Sequence, residues 1–99
     1  ELKEKMKTSS SKTISRKALE TLALVSLYQP VTKTQIDLKR GVDSAQTIRT
    51  LLERGLITTA GRSDLPGRPF LYKITDKFLE VFGIESEEEL ERLKNLFSE

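Results

Sequence analysis

The stretch Thr32–Gly55, TKTQIDLKRGVDSAQTIRTLLERG, decides the fold. Thr32 and Gln35 have the spacing of a capping box, in which each side chain reaches the other residue's backbone amide. The helix they open is about two turns long, carries Ile36 inward and stops at Gly41. Asp43 and Gln46 repeat the spacing and predict a further helix. Its expected inner face is Ala45, Ile48, Leu51 and Leu52, and Gly55 closes it. Only Gly41-Val42-Asp43 separates the two. Two short helices across so tight a Gly-containing turn read as a helix-turn-helix.

The pattern extends in both directions. Upstream, Ser15 is the expected N-cap of a first helix, with Leu19, Leu22, Ala23 and Leu27 recurring along one buried face. Leu24 and Val25 broaden that stripe, and Gln29-Pro30 ends it, because the residue before proline is pushed out of the helical region. Downstream, the β-branched run Leu56–Ala60 and the run Phe70–Thr75 suit two strands. Between them, Leu65-Pro66-Gly67-Arg68 fits a type II turn, with Pro presetting φ and Gly taking a positive one. Two such strands after three helices make a wing. Phe78, Leu79 and Phe82 then face inward from a brief helix ended by Gly83. Ser86 with Glu89 is a third capping spacing, and Leu90, Leu93 and Phe97 line the last helix.

The expected class is α+β: a winged helix-turn-helix of three helices, a two-stranded wing and two further C-terminal helices, over residues 15–99. Residues 1–14, ELKEKMKTSSSKTI, offer little apolar surface and are expected to be a flexible linker from a preceding domain. The chain opens on Glu rather than Met, which fits a piece of a longer protein.

Composition narrows the chemistry. There is no Cys and no His, which removes the usual nucleophile–base pairs and most transition-metal sites. Asp43 and Glu89 are explained as caps, and Asp64 stands alone in a loop, so no carboxylate pair has an acid–base spacing. An enzyme is not expected, nor a cofactor, and no apolar run is long enough to cross a bilayer. The net charge of +2 hides an asymmetry. Residues 1–40 hold nine Lys/Arg against four Asp/Glu, whereas residues 76–99 hold three against eight.

Several stretches also resemble one family, the segregation and condensation protein B family, in its second winged-helix domain. They are Ala18–Ala23, Gln29–Thr32, Arg40–Ser44, Arg49–Ile57, the wing GRSDLPGRPFLY over 61–72, and Phe78–Ile84. The long wing motif in register with the rest is the specific part. The chain departs from the pattern at Leu27, where an aromatic is usual, and at Lys73-Ile74, where a small-polar pair is usual. On this resemblance, the family's first winged-helix domain is expected to lie outside this sequence. The resemblance implies a homodimer that embraces a kleisin, segregation and condensation protein A, which bridges the heads of an SMC ATPase. It places the protein in the cytoplasm, on the nucleoid, with the dimer made mainly by that first domain.

The expected partner-binding residues are Gln46 and Arg49 on the third helix and Arg62, Arg68, Phe70 and Tyr72 on the wing. Arg62 and Arg68 are open to two readings, a fork onto a partner's carboxylate or a local clamp of the turn. Phe70 and Tyr72 share a strand face that serves either core or partner. Lys33, Lys39 and Arg40 are candidates for weak nonspecific DNA contact. The rival function is a winged-helix DNA-binding transcription regulator, whose third helix would enter the major groove.

Overall fold

Helix α1 (Arg16–Tyr28) starts at its expected cap: Ser15 is extended and its hydroxyl accepts from the Ala18 amide at 3.1 Å. The structure, a computed structural model, describes residues 14–97. The expected linker thus lies outside the described residues except for Ile14, which is half-buried against the core. The same holds for the side chain of Phe97 and its place in the last helix's stripe.

The buried residues of α1 are Ala18, Thr21, Leu22, Ala23, Val25 and Ser26. Leu19 is 38% exposed. The expected stripe Leu19–Leu22–Ala23–Leu27 is therefore split, because the apolar arc of this helix is wider than one face. After Gln29, Val31 and Thr32 form a short strand β1 that the sequence reading did not contain. It pairs antiparallel with β3 (Phe70–Ile74), Val31 opposite Tyr72 and Thr32 opposite Leu71. The sheet is three-stranded, in the order β1-β3-β2, with β2 spanning Ile57–Arg62.

Thr32 also caps α2 (Lys33–Arg40), and the capping box closes both ways: its hydroxyl accepts from the Gln35 amide at 3.2 Å, and Gln35 accepts from the Thr32 amide at 2.9 Å. Helix α3 (Ala45–Glu53) corrects the second box. It begins a residue later, at Ser44, with no side-chain cap. Asp43 instead accepts from the Ala45 amide at 3.2 Å, and its carboxylate meets the Lys33 ammonium. That shift leaves Ala45 exposed, so the inner face is Ile48 and Leu51 with Leu52 half-buried.

The wing strands pair Ile57 with Ile74 and Thr59 with Tyr72, then slip by one residue to set Arg62 opposite Phe70. The extra residue is a bulge containing Gly61, whose φ of +90° a side chain would strain. The turn beyond it has the expected form: Gly67 has φ +86° and the Arg68 amide returns to the Leu65 carbonyl at 2.8 Å. Thr75 closes the sheet, donating to the Gly55 carbonyl at 2.6 Å and capping α4 (Asp76–Val81) through the Phe78 amide. Helix α5 (Glu87–Phe97) starts at Ser86, but Glu89 reaches the Glu85 amide rather than that of Ser86.

One core joins these elements. Leu22, Val25, Ile36, Leu51 and Ile57 are each at most 2% exposed, and Phe78 and Leu90 close it from the C-terminal helices. Burying each large side chain is worth about 1.5–3 kcal/mol.

Candidate functional site

The junction of the helix-turn-helix is held by charge. The Lys33 ammonium sits 2.6 Å from an Asp37 oxygen and 2.8 Å from an Asp43 oxygen. The other Asp37 oxygen accepts from the Ser44 amide at 2.7 Å. The hydrogen bond to Asp37, and then that to Asp43, hold Lys33 protonated well above the ordinary ammonium range. Partial burial pushes the Asp37 carboxyl up, but Lys33 and the Ser44 amide outweigh it, and the net shift is downward. Asp43 is lowered chiefly by its Lys33 hydrogen bond. One cation and two carboxylates thus fix the angle between α2 and α3.

This arrangement decides what three of the expected cations have to offer. Lys33 faces two acids. Lys39 lies 4.2 Å from the centre of the Tyr28 ring. Arg40 is drawn inward, its side chain 8% exposed, with contacts of 3.4 Å to Ser44 and to Glu20. On α3, Gln46 and Arg49 are exposed, and Arg49 makes no ion pair with Glu53. Arg40 borders one hollow with Gln46 and Thr47 of α3, together with Arg16 and Lys17 of α1.

On the wing, Arg62 is a local clamp. Its guanidinium lies 4.3 Å from the centre of the Phe70 ring and donates to the Arg68 carbonyl at 3.0 Å. Phe70, 44% exposed, stands outside the core, whereas Tyr72 is half-buried and packs against it. The two aromatics that the sequence put on one face therefore have different surroundings. Arg68, with φ +45°, is exposed at the tip.

Sequence reasoning missed a groove between α1 and α2. Its floor is Leu19, Ala23, Leu24 and Leu27, and Lys39 and Arg40 stand over it from α2. A signal was present: α1 carries more apolar residues than one face can bury. Among the described residues no group of His, Cys, Asp or Glu is arranged to hold a metal, and no helix is long and apolar enough to cross a membrane.

Three helices, a short sheet and a wing whose tip carries an exposed aromatic define a winged-helix domain of the α+β class. MarR from Staphylococcus aureus, solved with salicylate and kanamycin, shares that fold with a TM-score of 0.60 at 19% identity, over 90% of this chain and 71% of that one. The chain belongs to the family of segregation and condensation complex subunit ScpB, whose model matches residues 1–93. Segregation and condensation protein B of Clostridium tetani is 49% identical over 94 residues, which is 95% of this chain and 50% of the relative. The crystal structure of ScpB from Mycobacterium tuberculosis superposes with a TM-score of 0.71 at 40% identity, covering 83% of this chain and 51% of that one. The chain thus spans about half the length of these relatives.

Proposed function

We propose that this chain is a non-catalytic binding domain of a bacterial SMC–kleisin complex, contacting the kleisin while a homodimer of the full protein doubles the contact. The match to the ScpB family over residues 1–93 carries the reading. The partners, the dimer and a place on the nucleoid in the cytoplasm follow from how that family is assembled. The proposed contact residues are Gln46 and Arg49 on α3 and Arg68 and Phe70 on the wing, with Arg62 stacked on Phe70 and Tyr72 half-buried two residues along the same strand. The exposed aromatic suits a protein partner, since binding energy concentrates in buried aromatic anchors. Phosphate binding would need a dense basic footprint, whereas Lys33 is held between two carboxylates and Lys39 and Arg40 stand over the α1–α2 groove beside Glu20. That favours the kleisin over DNA.

The test is light scattering on a sizing column, with the full-length protein and its kleisin at low and high salt. A complex that survives high salt supports the reading, because phosphate contacts would be lost steeply as salt rises. A protein that ignores the kleisin and shifts only with duplex DNA at low salt overturns it in favour of a DNA-binding regulator.

A further inference from the structure

We propose that the groove between α1 and α2 is a second docking site, and that it takes an amphipathic helix carrying a carboxylate on its polar edge. For the identity of the protein that supplies this helix, the inference rests on the kleisin reading above.

The floor has the form a helix needs. Leu19, Ala23 and Leu27 are spaced i, i+4, i+8, a straight ridge over two turns of α1. Ala23, small and at the middle, allows close approach between helix axes. The hollow above them holds about 770 Å³, room for several side chains of a partner's apolar stripe. Leu19 is the exposed part of this surface, whereas Ala23 is buried and Leu24 packs partly against the core that α1 serves with Ala18, Leu22 and Val25.

The rim supplies the charge. Arg16, Lys39 and Arg40 line it against one carboxylate, Glu20. Glu20 is shared, 3.7 Å from Arg16 and 3.4 Å from Arg40. Arg40 is the anomaly. Its guanidinium is largely buried, both of its contacts are 3.4 Å long, and its Nε is buried with no partner. Guanidinium–carboxylate bonds are ordinarily about 2.7–2.9 Å, and a buried cation without full partners is costly. A carboxylate entering the groove would meet Arg40 beside Glu20 and complete what Glu20 alone supplies loosely.

The same charge argues against two other occupants. Residues 1–13 of this chain, ELKEKMKTSSSKT, hold four Lys against two Glu and would be repelled by the rim. A second copy, pairing face to face, would set Arg16, Lys39 and Arg40 against an identical set.

The experiment measures affinity between the full-length protein and its full-length kleisin by titration calorimetry, for wild type, Leu19→Glu, Lys39→Glu and Phe70→Ala. Leu19 and Lys39 are exposed, and unchanged thermal melting of their variants shows that the domain still folds. Leu19→Glu should weaken binding at least tenfold, and Lys39→Glu several-fold with a reduced dependence on salt. Leu19→Glu binding within twofold of wild type, whether or not Phe70→Ala fails, overturns the groove and leaves the kleisin reading standing. A wild type that does not bind the kleisin overturns that reading and removes the helix's proposed source. A Leu19→Glu variant that changes the protein's own mass in solution, with kleisin affinity kept, overturns the choice of occupant in favour of a second copy.

Discussion

The wing tip and the α1–α2 groove each pair an arginine with apolar surface, yet they are built on opposite terms. On the wing, Arg62 is satisfied by neighbours close in sequence: it stacks on Phe70 and donates to the Arg68 carbonyl six residues away. In the groove, Arg40 depends on Glu20, twenty residues away, and keeps an unpartnered nitrogen in a buried position. The first region is closed by its own turn, which leaves Leu65, Arg68 and Phe70 exposed. The second is open in both charge and shape. Charge counted along the chain treats the two arginines as equal, whereas their burial and partners separate them.

The comparison breaks most visibly if the groove floor is really core. Leu22→Ala removes a side chain 2% exposed and should cost about 2–5 kcal/mol in urea unfolding. Leu19→Ala, three residues earlier, should cost less than about 1 kcal/mol, because little surface is withdrawn from a packed interior. Equal losses would mean that α1 needs both faces for its own fold, and the groove would then not be free for a partner.

The next largest effect concerns what holds α2 in place. The groove is walled by α2, which its junction with α3 holds in place. Asp37→Asn should cost about 1–2 kcal/mol at neutral pH, by removing the charge that meets Lys33 while keeping an acceptor for the Ser44 amide. The folded Asp37 carboxyl titrates below its ordinary range. In the window between the two values the unfolded chain therefore binds the extra proton, and the stabilisation is lost as pH falls through it. The gap between wild type and variant should accordingly be full near pH 7 and narrow below about pH 4. A gap of constant size across that range would mean that the charge on Asp37 does not hold the junction.

How much was legible in the sequence follows the same division between near and far. The box at Thr32 and Gln35, the cap at Ser15 and the turn Leu65–Arg68 are local, and each amide finds its acceptor within four residues. The helix-turn-helix and the wing could be read from them. Strand β1 could not, because two residues become a strand only by finding Tyr72 and Leu71 across the sheet. Asp43 was misread as a cap because Lys33, ten residues back, competes for its carboxylate. The candidate site was the least legible part. Lys39 and Arg40 stood out as cations, but the burial of one and the ring beneath the other come from α1, and so does the groove they overlook.

The smallest effect tests the comparison most directly, with one substitution made in both regions. Arg62→Met keeps an apolar stem and loses a cation over Phe70 and a hydrogen bond to the Arg68 carbonyl. Both are solvent-exposed, so the variant should lose about 0.5–1 kcal/mol and loosen the wing tip, visible as faster amide exchange at Ser63. Arg40→Met removes a buried guanidinium whose contacts are long and incomplete. Replacing a poorly paired buried ion by an apolar side chain of similar length is often neutral or stabilising, so unfolding should shift by less than about 0.5 kcal/mol or move upward. Arg40→Met should nevertheless weaken binding to a groove partner, which Arg62→Met leaves alone except through Phe70. If Arg40→Met instead costs more stability than Arg62→Met, the Arg40–Glu20 contact is a structural brace of α1 on α2. The groove would then keep its apolar floor and lose its claim to a carboxylate.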